Sequence, residues 1–149
     1  MQTVFDAATR DELLRRVDSI DGGSARQWGK MSAPQMLEHT ARVLEIATGR
    51  RQTDQLLIGK LIAWIFKKDF VGEKPFGKNA PTGGDFIVKD EPALEPARDK
   101  LKALIRELNA AGEKGCDGRV HPFFGRLTGA EWGVSQFKHV DHHLRQFGV

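Results

Sequence analysis

The sequence has a single cysteine and almost no net charge, and these two shortages exclude several classes of protein. One thiol, that of Cys116, cannot build an internal disulfide framework, and this favours a reducing compartment and hence a cytoplasmic protein. The formal charge is only +3 and the basic residues are scattered, so no nucleic-acid-binding surface is indicated. Cys116 stands between Gly115 and Asp117-Gly118, which is typical of an exposed loop, and no adjacent residue would activate its thiol.

Long hydrophobic segments and targeting signals are also missing. The most apolar stretch, residues 56–66, is interrupted by Gly59 and Lys60 and is too short to span a bilayer, so we expect no membrane partner. Residues 1–6 lack the basic and apolar segments of a secretory signal peptide. With 149 residues, of which 40% are hydrophobic, the chain is expected to form one domain over residues 1–149.

Five segments carry apolar residues at helical spacing and predict an all-α protein. We expect helices near residues 10–20, 33–48, 55–67, 96–111 and 129–146. Three capping boxes support the starts of the first, second and fifth helices, at Thr9–Glu12, Ser32–Gln35 and Thr128–Glu131. Gly112 is expected to end the fourth helix. The apolar faces of the third helix suit a central bundle helix or a homodimer interface.

Two segments without helical periodicity separate these helices. Residues 69–95 predict a long crossover connection of the kind that joins parallel bundle helices, with a short extended piece at residues 86–88. Residues 113–127 predict a second loop, which contains His121. That histidine has two interpretations: a second-shell group or proton carrier at the mouth of a site, or part of a turn whose aromatic residues cap the bundle.

The histidines are the strongest functional signal in the chain. His139 and His143 are four residues apart on the last helix and share one flank of its apolar stripe, whereas His142 points towards the polar side. His39 falls within the inner stripe of the second helix. Three neutral imidazoles that converge in a core are costly unless a cation binds them. We therefore predict a metal site formed by His39, His139 and His143.

Three segments carry a resemblance to a known family: residues 28–39, residues 121–125, and residues 138–148 together with Trp132. They resemble the DinB-like (DinB/YfiT) metalloenzyme superfamily, in a branch of unknown function. The resemblance implies a four-helix bundle with a long crossover connection and a short extra helix. It also implies a divalent metal held by one histidine of an early helix and an i, i+4 pair of a late helix, which by position are His39, His139 and His143.

The resemblance leaves the reaction open. Better-studied relatives include thiol-dependent transferases and isomerases that use bacillithiol, mycothiol or glutathione, which implies a low-molecular-weight thiol and a small-molecule substrate. Three histidines leave open coordination positions on an ion, with zinc or nickel favoured and iron as a third candidate. One alternative is a hydrolase that uses metal-bound water, although Asp141 points away from the site. Another is a stress-linked binding or scaffold protein, without enzyme activity, whose metal site is vestigial.

Overall fold

The computed structural model describes residues 1–149 and is built from five α-helices, one short 3-10 helix and a two-stranded hairpin. In chain order these are α1 (Ala7–Asp18), α2 (Ala33–Ala47), α3 (Leu57–Val71), a 3-10 helix (Gly84–Phe86), α4 (Leu94–Cys116), β1 (Val120–His121), β2 (Gly125–Arg126) and α5 (Gly129–Gln146). The two strands are antiparallel, with Val120 opposite Arg126 and His121 opposite Gly125. The predicted all-α bundle is therefore confirmed.

Helix α4 lies at the centre of the bundle and contacts α1, α2 and α5. The apolar faces of these four helices meet in one core, because each carries its large aliphatic residues at helical spacing. The fully buried side chains of this core include Leu13, Leu37, Leu44, Leu101, Leu104, Leu108, Trp132 and Leu144. Residues 72–93 connect α3 to α4, as the predicted crossover requires, and contain only the 3-10 helix.

Two of the three predicted capping boxes are present. The Ser32 hydroxyl accepts from Gln35 N at 3.3 Å while the Gln35 side chain accepts from Ser32 N at 3.0 Å. Thr128 and Glu131 form the same reciprocal pair at 3.2 Å and 2.9 Å. The box expected at Thr9 is wrong, because α1 begins earlier and Asp6 is its N-cap, with its carboxylate accepting from Thr9 N at 3.0 Å.

Helix α4 continues past the glycine that was expected to end it. Gly112 does break the regular helix, with φ 62° and ψ −171°, but a short helical segment follows as far as Cys116. The expectation of an exposed Cys116 is wrong, since its side chain is fully buried. Burial raises the pKa of this thiol to about 11, so it is protonated at neutral pH and inert as a nucleophile.

Helix α3 lies at the edge of the bundle, so the expectation of a central helix is wrong. Only Gly59 and Ala63 are buried, and the helix packs on α5 and on the hairpin, where Gly59 lies against the backbone of Phe123. The helix extends to Val71 because its end is capped by another element. The buried ammonium of Lys138 in α5 donates to the carbonyls of Asp69, Phe70 and Gly72, at 2.6, 2.9 and 2.7 Å.

Two further expectations about the connections need correction. Phe86 ends the 3-10 helix and Val88 is buried, but residues 86–88 form no strand. The only strands lie within residues 120–126, a segment that the sequence predicted as a loop. Every helix in the structure is too short or too polar to cross a bilayer.

Candidate metal centre

The three predicted ligands converge in the structure. His39 comes from α2, and His139 and His143 come from α5; each offers one ligand atom, and these atoms lie within 4.8 Å of one another. The ring centroids are 5.2 Å apart for His39 and His139, 4.8 Å for His39 and His143, and 4.7 Å for His139 and His143. We refer to these three residues as the histidine cluster.

The cluster histidines lie on two helices, α2 and α5, and a capping box defines where each helix begins. The capping boxes at Ser32 and Thr128 define the first turns of α2 and α5, and therefore which faces of these helices turn inward. His139 and His143 are one turn apart and so project from the same side of α5. His39 and His143 are buried, with 4% and 8% of their surface exposed.

Two of the cluster histidines are oriented by hydrogen bonds at Nδ1. His39 Nδ1 is 2.9 Å from the carbonyl oxygen of Phe86, and His143 Nδ1 is 2.9 Å from Oε1 of Gln146. The Gln146 amide nitrogen donates to the carbonyl of Trp28 at 2.9 Å, which fixes Oε1 as the atom that faces His143. Both Nδ1 atoms therefore donate a proton, which leaves the Nε2 lone pairs free to bind a metal.

His139 shows that the cluster is incomplete without a further partner. Its Nδ1 atom is buried and has no hydrogen-bond partner in the protein. A buried polar atom without a partner costs free energy. Coordination of this His139 nitrogen to a metal ion would remove that cost. The donor set, three imidazoles of which two are buried, fits a divalent ion of the zinc type.

The protonation states of the cluster also suit a metal. Burial, together with the positive charge that His39 could carry, lowers the pKa of His143 to about 3. Burial likewise lowers the pKa of His39 and brings that of His139 well below its usual value. All three rings are therefore neutral at pH 7, which is the form that coordinates metal ions.

His142 lies outside the cluster, as the helical phase predicted, but it is not fully exposed. It is half-buried, with its ring centroid 5.7 Å from that of Trp28 and 6.3 Å from that of Phe76. His142 shares a cleft with Lys138 and Arg145, as expected for the polar side of α5, and Trp28 and Phe76 cover this side. Burial lowers the pKa of His142.

His121 has the contacts that the turn interpretation predicted. Its Nδ1 accepts from the backbone N–H groups of Phe123 and Phe124, both at 3.1 Å, so the ring proton is on Nε2. Its ring packs against Phe70, Phe124 and Trp132, at centroid distances of 5.0, 5.1 and 5.7 Å. His121 is not part of the histidine cluster, and a role for it as proton carrier stays a prediction.

Sequence reasoning missed the residues that hold the cluster in place. Gln146 follows His143 by three residues on the same helix, and this spacing, which places both side chains on one face, is the signal for a hydrogen-bond partner of His143. The Phe86 carbonyl could not be found in this way, because it comes from the crossover segment. Asp141 is held by Arg16 at 2.8 Å and is absent from the cluster, as expected.

These observations define the chain as an all-α bundle protein with an internal three-histidine cluster that can hold a metal ion. Residues 3–148 match the model of a family described as "Protein of unknown function (DUF1569)". The match spans nearly the whole chain, and the protein belongs to this family. Neither a curated protein nor a solved structure matches the chain.

Proposed function

We propose that the protein binds a divalent metal ion through the imidazoles of His39, His139 and His143. The observation that carries this proposal is the convergence of three ligand atoms within 4.8 Å, from two helices far apart in sequence. Imidazole ligands suit zinc, nickel and iron, and among these we favour zinc or nickel. With three protein ligands, such an ion keeps open positions for a substrate, as catalytic sites do.

We further propose that the fold is of the DinB-like (DinB/YfiT) type. The arrangement supports this in two respects: a long crossover connection at residues 72–93, and one histidine from an early helix opposite an i, i+4 pair of the last helix. Helix α1, only 12 residues long, is a candidate for the short extra helix.

The activity that we propose is that of a thiol-dependent S-transferase or isomerase acting on a small molecule. A divalent ion at the cluster would favour the thiolate form of a thiol that binds there. The chain cannot supply this thiol, because Cys116 is buried and its pKa is raised to about 11. The thiol is therefore a small molecule such as bacillithiol, mycothiol or glutathione, and a cytoplasmic location would provide it in reduced form.

The alternative of metal-dependent hydrolysis lacks support from the side chains. Activation of water is assisted by a carboxylate base, but the cluster contains none and Asp141 is bound to Arg16 at 2.8 Å. This absence of a placed base is why we prefer thiol transfer. The third possibility is a stress-linked binding or scaffold protein with a vestigial metal site. Assays of metal binding and turnover distinguish it from both enzymes.

Metal binding is tested with protein purified without a histidine tag. Elemental analysis identifies the ion, and competition with a chromophoric chelator gives its affinity for wild type and for four alanine variants. His39→Ala, His139→Ala and His143→Ala each remove one of three ligands and are expected to weaken binding by about 100-fold or more. His142→Ala is the matched control and should bind as wild type. Equal affinity in all four variants would show that the cluster is not a metal site.

Activity is tested with a panel of thiols and electrophilic acceptors, with and without zinc. Turnover that needs both a thiol and the metal, and that His143→Ala abolishes, is the expected result. Turnover without a thiol would instead show hydrolysis, and the absence of both turnover and bound metal would show a scaffold protein.

We also propose that the outer face of α3 pairs with a second copy of the chain. Seven large apolar residues at positions 56–66 have at least half of their surface exposed, and Leu57, Leu61 and Trp64 have at least 70% exposed. At roughly 100 Å² for each half-exposed large side chain, the face offers about 700 Å². Stable interfaces of standard size bury about 600–1,000 Å² per partner, so a symmetric α3 pair falls within this range.

Light scattering and sedimentation over a range of protein concentrations test the dimer. Trp64→Glu should shift the equilibrium to monomer because it places a charge within the apolar face. Ile87→Glu is the matched control, since Ile87 is a half-exposed apolar residue outside α3 and its replacement should leave the dimer intact. A wild-type protein that stays monomeric at the highest concentration contradicts this proposal.

A further inference from the structure

A small cleft lies beside the histidine cluster. Its volume is about 60 Å³, and His142, whose ring centroid is 5.2 Å from that of His143, forms part of its lining. At about 15 Å³ for each water-sized group, the cleft has room for about four such groups. It can therefore hold one end group of a small molecule, while the rest of that molecule remains outside.

The lining of this cleft carries an excess of positive charge. Lys78, Lys138 and Arg145 contribute three cations, and the only carboxylate is that of Asp141. Asp141 is already paired with Arg16 at 2.8 Å and lies 3.8 Å from Arg145. Neither lysine forms an ion pair with a carboxylate. The cleft is thus electrostatically suited to an anion.

Two aromatic rings form the walls of the cleft and hold the lysine ammonium groups in place. Lys78 Nζ lies 4.4 Å from the centre of the Trp28 ring, and Lys138 Nζ lies 4.6 Å from the centre of the Phe76 ring. Lys138 donates to three backbone carbonyls and can contribute only its charge. Lys78 makes no hydrogen bond, so its ammonium group is free to donate to a ligand.

We propose that this cleft binds the anionic end group, a carboxylate or a phosphate, of the small molecule whose reactive end reaches the histidine cluster. Lys78 and Arg145 donate hydrogen bonds to the anion, Lys138 adds positive charge, and the rings of Trp28 and Phe76 exclude water. The proposal names the substrate class for the site described above, and in this respect it rests on the proposed function.

The test follows the indole N–H signals of the three tryptophans by NMR, with Trp28→Phe to assign the one in the cleft. Chelator-treated protein is titrated at constant ionic strength with propionate, inorganic phosphate and, as the neutral control, propionamide. The expected result is a saturable shift of the Trp28 signal with an anion and none with the amide. Saturation by propionate alone identifies a carboxylate, and saturation by phosphate alone identifies a phosphate.

A pair of substitutions that removes two positive charges tests the assignment to this cleft. The double variant Lys78→Gln, Arg145→Gln should bind the anion at least about tenfold more weakly, because charge-assisted hydrogen bonds are lost. Lys30→Gln removes an exposed lysine close to Trp28 in sequence but outside the cleft lining, and should bind as wild type. Equal shifts with propionamide, no shift with either anion, or unchanged affinity in the double variant would overturn the proposal. Since the titration uses metal-free protein, its outcome is independent of metal binding at the cluster.

Discussion

Gln146 is the residue whose replacement gives the clearest test of how the histidine cluster is built. It is buried, with 3% of its surface exposed, and its amide serves two partners at once. Oε1 accepts from His143 Nδ1 at 2.9 Å, and Nε2 donates to the Trp28 carbonyl at 2.9 Å. Gln146→Leu keeps the size of the side chain but removes both hydrogen bonds.

The expected losses of metal affinity and stability follow from the two groups that lose a partner, His143 Nδ1 and the Trp28 carbonyl. Loss of a hydrogen bond that orients a metal-binding histidine lowers metal affinity by about 10- to 100-fold. Each buried polar group left without a partner costs about 1–3 kcal/mol, so the loss of two partners in Gln146→Leu should reduce the free energy of unfolding by about 2–6 kcal/mol. Metal affinity is measured by chelator competition and stability by urea unfolding of the metal-free protein.

Gln146→Glu separates the two roles of this amide. The carboxylate still accepts from His143 Nδ1, so metal affinity should match or exceed that of wild type. It cannot donate to the Trp28 carbonyl, so stability should still fall. Gln55→Leu is a control, because it removes one side-chain hydrogen bond, to the Phe123 carbonyl at 3.0 Å, away from the cluster. If Gln146→Leu and Gln146→Glu weaken metal binding equally, Oε1 does not orient His143 and the reasoning is refuted.

Three further predictions concern the rest of the molecule. Lys138→Met removes the ammonium shared by three carbonyls and should cost about 3 kcal/mol in urea unfolding, whereas an unchanged midpoint would show that α3 needs no such cap. Burial lowers the pKa of His121 from 6.5 to about 4, so His121 takes up a proton in the unfolded chain, but not in the folded protein, as pH falls from 6.5 to 5. The contribution of His121 to the free energy of unfolding should therefore fall by about 2 kcal/mol between pH 6.5 and 5. His121→Asn keeps a hydrogen-bond acceptor but cannot take up this proton. Its free energy of unfolding, measured with urea at pH 6.5 and 5, should therefore fall less than that of wild type, by about the same 2 kcal/mol. Leu104→Ala opens a cavity in the centre of the core and should cost about 2–5 kcal/mol by the same method, in contrast to Leu61→Ala on the exposed face of α3.

The features that the sequence predicted well depend on contacts between near neighbours. The boxes at Ser32 and Thr128 involve residues three apart, and the i, i+4 relation of His139 and His143 follows from helical geometry alone. At α1 two local signals competed. Asp6 and Thr9 are both good N-caps with a partner three residues on, and Asp6 prevails, with its carboxylate also accepting from the Thr9 hydroxyl.

The features that the sequence did not predict depend on residues far apart in the chain. Lys138 looks like a surface residue of α5, but its ammonium is buried because the end of α3 offers it three carbonyls. Cys116 is flanked by turn-forming residues, yet it is buried because α4 continues past Gly112 into the core. His142 is covered by Trp28 and Phe76, which belong to loops whose paths have no local signature.

The edge position of α3 also determines how the protein opens. Only Gly59 and Ala63 of this helix are buried, and Phe70 in its last turn is the only α3 side chain that packs against the core of α1, α2, α4 and α5. The rest of α3 can therefore detach while that core stays closed. Its amide hydrogens should therefore exchange with solvent through a local opening of low free energy, whereas those of α4 exchange only when the whole bundle unfolds. Pairing of α3 with a second copy would oppose this opening, so its exchange protection would rise with protein concentration while that of α4 would rise much less.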